Sequence, residues 1–99
     1  MAIVIGSNSW ISIADADDYL TYRVGAEDWF SLTDVGNPGA ESKTTFLVTA
    51  FHWLFGSSLL NISKSATDDN VKNAQCEAAL YLMSNYTEYF QRRGVLATG

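Results

Sequence analysis

"DDNVKNAQCEAALYLMSNYTEYFQRRG", residues 68–94, decides the fold class. It contains no proline, and its one glycine comes last. Asp68 and Asp69 stand where the positive end of a helix dipole would lie, and Arg92 and Arg93 where the negative end would lie. At about 100° per residue, Val71, Ala74, Ala78, Leu82 and Tyr89 share one face, while Cys76, Leu80, Met83 and Phe90 share a second. Only a narrow sector, with Asn73, Glu77, Ser84, Glu88 and Gln91, is polar. The spacing predicts a helix from a cap at Thr67 or Asp68 to Gly94. A surface helix of a monomer needs one apolar stripe. Two stripes predict cover on both sides, either from the chain's own neighbouring elements or from another chain.

The preceding segments read as helical too. In "AESKTTFLVTAFHWLF", residues 40–55, Phe46, Ala50, Trp53 and Leu54 form one stripe and Val48, Phe51 and Phe55 another. "TDVGNPG", residues 33–39, is a loop rich in turn residues. "AEDWFSL", residues 26–32, predicts a short helix or helical turn whose early acids suit an N-terminus. "ISIADADDYL", residues 11–20, predicts a helix capped by Ser12, with Asp15 at the third position, Ile13, Ala16, Leu20 and Val24 on one face, and an end or bend at Gly25. "AIVI", residues 2–5, is β-favouring but too short to stand alone, and reads as an edge strand or extended arm.

The whole is an all-α domain of about four helices spanning residues 1–99, with an extended arm over 1–11, a helical core over 12–94 and a tail over 95–99. Its 47% hydrophobic and 13% aromatic content supports a packed core. The formal net charge of -5, with basic residues scattered except at Arg92-Arg93, argues against a nucleic-acid backbone as partner. One cysteine, Cys76, excludes an internal disulfide. The N-terminus lacks the basic and apolar regions of a signal peptide. No apolar run approaches the roughly 18 residues of a membrane span, so a protein made in a cytoplasm is expected.

Asp15, Asp17 and Asp18 raise the question of a metal or phosphoryl-transfer site. On a helix, Asp15 and Asp17 point about 160° apart, so the three carboxylates do not converge. The calcium-loop pattern fails as well, because its sixth position, reserved for glycine, is Leu20. Helix capping and solvation is the reading for all three. His52 is the single histidine, and neither a hydrolase elbow nor a zinc ligand set accompanies it. Cys76 has no basic neighbour in sequence and reads as a packing residue. No catalytic, metal or cofactor site is expected.

"WISIADADDYL", "GAEDWF", "KTTFLVTAFHWL" and "DDNVKNAQCEAALYLM" together resemble the head–tail connector (adaptor) proteins of tailed bacteriophages. The shared pattern is an aromatic residue (Trp10), an apolar-Ser-apolar triplet (Ile11-Ser12-Ile13), an Asp-Ala-x-x-Tyr helix start, a small residue with an acid and tryptophan (Trp29), and a last helix of Val-Lys-x-Ala-x-x-Glu-Ala-Ala-Leu kind. The likeness covers about residues 10–94, and its motifs are packing signatures. Two features depart from the family pattern. The proline- and tryptophan-containing segment between the last two helices is absent, and the sequence ends at Gly99 where relatives continue.

The resemblance implies a structural, non-enzymatic virion protein at the head–tail interface, assembled in the bacterial host cytoplasm. It implies a connector-like bundle forming a homo-oligomeric ring, usually twelve-fold, beneath the portal protein. A stopper or tail-terminator protein would sit on the other side, and double-stranded DNA would pass through the channel without specific binding. No membrane is involved. Interface residues expected on that reading are Tyr86, Tyr89, Phe90, Arg92, Arg93, Val95 and Leu96 from the last helix and tail, and Ile3, Val4 and Ile5, which would add a strand to a neighbour. Some relatives are labelled DnaT-like single-stranded-DNA-binding proteins, so the alternative is an accessory replication protein that binds single strands through its aromatics.

Overall fold

The computed structural model describes residues 2–57 and 61–98, with side chains through residue 85. Its elements are α1 (Ile13–Thr21), a 3-10 helix (Glu27–Ser31), α2 (Lys43–Phe55) and α3 (Asp69–Thr98). The described residues form helices and no strand, and an isolated bridge joins Ile5 to Ser9. Among the described residues the fold is all-α, with three α-helices and a 3-10 helix in place of the short helix or helical turn expected over residues 26–32.

Local chemistry sets each boundary. Ser12 caps α1, its hydroxyl accepting the Asp15 N–H at 3.1 Å. The helix was expected to reach Val24 but ends at Thr21. There the Thr21 hydroxyl donates back to the Asp17 carbonyl, the Arg23 N–H turns to Leu20, and Gly25 at φ +91° reverses the chain. Five residues are too few for a stable α-helical segment, so Glu27–Ser31 winds tighter, with Leu32 N–H donating to the Trp29 carbonyl. α2 starts at Lys43, three residues later than the expected Ala40. Ser42 is its cap, accepting from Thr45 N–H at 3.1 Å. Asp68 stands at the entry of α3, its carbonyl accepting from Val71 and Lys72. α3 runs past Gly94, the expected stop, to Thr98. One interior glycine costs a helix about 1 kcal/mol, which does not end it.

The core lies where α1 and α2 pack on the first half of α3. Ala16 and Leu20 from α1, Trp29 from the 3-10 helix, Leu47 and Ala50 from α2, and Cys76, Ala79 and Leu82 from α3 are buried together. Trp10 is also buried, its ring 4.5 Å from that of Phe51. The segment read as an extended arm is therefore partly core: Ser9, Trp10 and Ile11 are all buried. Residues before it fold back. Val4 N–H donates to Asn8 Oδ1 at 2.8 Å, Asn8 Nδ2 donates to the Ala2 carbonyl, and the Val4 carbonyl accepts from Ser7 and Asn8.

Candidate functional site

The aspartates of α1 are the first place to look for chemistry. Asp15 belongs to the capped first turn, and Asp18 is exposed. Asp17 is not the solvating residue it was expected to be. Its Oδ1 accepts from Trp29 Nε1 at 2.8 Å and from Lys43 Nζ at 3.0 Å. Lys43, only 8% exposed in its side chain, also lies 3.6 Å from an Asp34 oxygen and 5.5–5.7 Å from the ring centres of Phe30 and Trp29. Two carboxylates and two aromatic faces thus neutralise a buried ammonium. The cluster ties α1, the 3-10 helix, the 33–34 turn and the start of α2 at one point. It is a clamp, and its three charges are engaged with one another.

A second cluster fixes the N-terminal segment to α3. Gln75, fully buried, accepts from Trp10 N–H at 2.9 Å and donates Nε2 to Ser9 Oγ and to the Leu47 carbonyl, both at 2.8 Å. Trp10 Nε1 donates to the Ser63 carbonyl at 2.8 Å. Two residues on, Glu77 accepts from Tyr19 OH at 2.7 Å and takes a two-point contact from Arg23, at 2.8 and 2.9 Å. The Arg23 contact first, and the Tyr19 hydroxyl with it, hold the Glu77 carboxyl below its ordinary range, while Glu77 pushes the Tyr19 hydroxyl up. Nothing in the sequence singled out Gln75. A glutamine inside an apolar face was the available signal.

Burial, with help from the Glu77 charge, pushes the Cys76 thiol up to about 12, so it stays protonated and inert at neutral pH. His52 is exposed and meets the Phe51 ring edge-on. A cleft of about 280 Å³ between the 3-10 helix and α3 is lined by Asp28, Leu32, Glu41, Phe46, Leu80 and Met83. Its lining, among the described residues, includes no histidine, cysteine, lysine or arginine to act with the two carboxylates. Among the described residues, no three histidine, cysteine or acidic side chains come close enough to hold a metal.

What remains is surface. Ile3 is half-buried against the core, while Val4 and Ile5 are exposed beside it. The side chains of Tyr86, Tyr89, Phe90, Arg92, Arg93, Val95 and Leu96 lie outside the described residues. Two further exposed apolar groups were not anticipated. Tyr22 and Val24, at the corner after α1, are 92% and 89% exposed. Trp53 and Phe55 emerge at the end of α2, at 38% each, and Tyr81 of α3 stacks on Trp53 at 5.7 Å while 50% exposed. No helix among the described residues is long and apolar enough to cross a membrane. Comparison with protein-family models, curated proteins and solved structures found no match.

Proposed function

We infer that the protein is a non-enzymatic building block of a phage head–tail connector: an adaptor ring between the portal and the stopper or tail protein. The observation that carries this reading is the division of its aromatic residues. Trp10 and Trp29, which carry the resemblance, are buried, each with its indole N–H satisfied. Tyr22, Trp53, Phe55 and Tyr81 present apolar surface outward. A fold whose motifs serve packing, and which exposes large apolar side chains, suits a subunit completed by its neighbours. The described polar clusters are consumed in holding the helices, which fits an assembly role better than catalysis.

Single-strand binding is the weaker reading. Of the four basic residues with described side chains, Arg23 and Lys43 are held by carboxylates, Lys64 lies over the Phe55 ring and Lys72 is half-buried on α3. Among the described residues, these four cations are too scattered to frame the exposed aromatics in a positive groove. The deciding experiment mixes the purified protein with the portal protein of the same phage and measures native mass, with labelled oligonucleotide anisotropy at low salt in parallel. Stoichiometric rings on the portal and no oligonucleotide binding are expected. Failure to bind the portal, with tight and salt-steep oligonucleotide binding, would replace the connector reading with the replication one.

A further inference from the structure

Lys43 is held in the way a protein holds a bound amine. Its Nζ lies 3.0 Å from Asp17 Oδ1 and 3.6 Å from Asp34 Oδ1, and the ring centres of Phe30 and Trp29 stand 5.5 and 5.7 Å away. Carboxylates beside aromatic faces recognise alkylammonium ligands, the first by charge and hydrogen bonding, the second by the ring quadrupole. The lysine side chain is 8% exposed, but that of Asp34 is 68% exposed, so the box opens to water beside Asp34.

The walls of this box are fixed by bonds that do not use the lysine side chain. Asp17 Oδ1 accepts from Trp29 Nε1 at 2.8 Å. Trp29 is fully buried, and its own backbone groups are bonded to the Ala26 carbonyl and the Leu32 N–H. The Asp34 carbonyl accepts from Thr44 N–H at 3.0 Å and from Thr44 Oγ1 at 2.7 Å. The Thr33 carbonyl accepts from the Lys43 backbone N–H at 2.9 Å, a donor that any residue except proline supplies. Such walls keep their places when the ammonium is taken away, which is what preorganisation means for a binding site.

We propose that Asp17, Asp34, Trp29 and Phe30 form a preorganised site for a primary alkylammonium group, and that Lys43 is its tethered occupant rather than its builder. The inference is independent of the connector reading. Truncating the lysine at Cβ leaves a slot shaped like n-propylammonium, which reproduces the Cγ, Cδ, Cε and Nζ atoms. A free amine enters beside Asp34, donates to Asp17 Oδ1 and lies against the two rings. It gives up freedom that the tethered side chain has already lost, so a weak affinity is expected, with a Kd of about 10 mM.

Chemical rescue tests it. The Lys43→Ala chain is titrated with n-propylammonium chloride, with 1-propanol as the uncharged isostere and tert-butylammonium chloride as a cation of the wrong shape. The indole N–H resonance of Trp29 and the thermal midpoint are followed. Propylammonium should return the Trp29 resonance toward its wild-type position, half-saturating at about 10 mM, and at about 100 mM should raise the midpoint by about 5 °C over the tert-butylammonium control. The wild-type protein, whose slot is filled, should show neither change, and Lys43→Met, whose side chain fills the stem, should behave like it. An equal response to 1-propanol would overturn the proposal in favour of an apolar void with no preference for charge. A response shared by the wild-type protein would overturn it in favour of a surface or solvent effect. A Trp29 resonance that no amine restores in folded Lys43→Ala would show that the lysine builds the box, and would overturn it too. If Lys43→Ala is unfolded by itself, the titration is followed as refolding by circular dichroism: recovery with propylammonium where 1-propanol gives none supports the proposal, and failure of both overturns it.

Discussion

Gln75 and Glu77 lie two residues apart on α3, and both bind the N-terminal part of the chain, yet they sit in different media. Gln75 is sealed from water and makes three short bonds, to Trp10, Ser9 and the Leu47 carbonyl. Glu77 meets Arg23 with both side chains about 40% exposed, at 38% and 43% respectively. The neutral amide should hold the fold more firmly than the ion pair. Its partners have no water to turn to when it is removed, while solvent takes over for an exposed charge.

The sharpest way to break that contrast is Gln75→Ala. It strands the Trp10 N–H inside the core and opens a void, for an expected loss of about 3 kcal/mol, measured by urea unfolding. Because Trp10 is the reporter on the same joint, its fluorescence should shift to the red. Next is the Lys43 clamp: Lys43→Ala leaves the Asp17 carboxylate with the indole N–H alone and should cost about 2 kcal/mol, whereas Lys43→Met, which keeps the packing, should cost less. Replacing either cap, Ser12→Ala or Ser42→Ala, should cost about 1 kcal/mol by thermal melting. A loss of more than that from a cap, or less from Gln75, would reverse the ranking.

The pH dependence extends the comparison. Glu77 has a lowered folded pKa, so its contribution is present above the ordinary carboxylate range and fades as pH falls through the folded value. Tyr19 and Cys76 have raised values, so theirs is present below the ordinary tyrosine and thiol ranges and is lost as pH rises, for Cys76 toward about 12. Melting temperature should be flat near neutrality and fall on both sides. Cys76→Ala should soften the alkaline fall, and Glu77→Gln the acid one. Arg23→Ala should have the smallest effect, a slight drop in melting temperature that vanishes in high salt.

Legibility in the sequence followed periodicity. α3, α2 and α1 were visible because their apolar residues repeat at helical spacing and Ser12 precedes the first. Their ends were less so, since Ser42 and Thr21 act through bonds to the backbone that other serines and threonines make without ending a helix. The partners of Asp17 and Gln75 are 12 to 66 residues away in sequence, and no local pattern encodes such contacts. The exposed corner at Tyr22 and Val24 escaped because the end of α1 was misplaced. Val24 fits the stripe of α1 by spacing, but the helix ends before reaching it.

The small loop closed by Asn8 has a consequence for the first residues. A strand that paired along the Val4 edge of "AIVI" would need the Val4 N–H and carbonyl, and both already have partners within the loop. Recruitment of that edge is therefore an exchange reaction, in which an incoming strand competes with Asn8 for the same backbone groups. Its rate would be gated by loop opening, and Asn8→Ala would loosen the gate by freeing the Val4 N–H, while the Val4 carbonyl would keep the backbone N–H groups of residues 7 and 8.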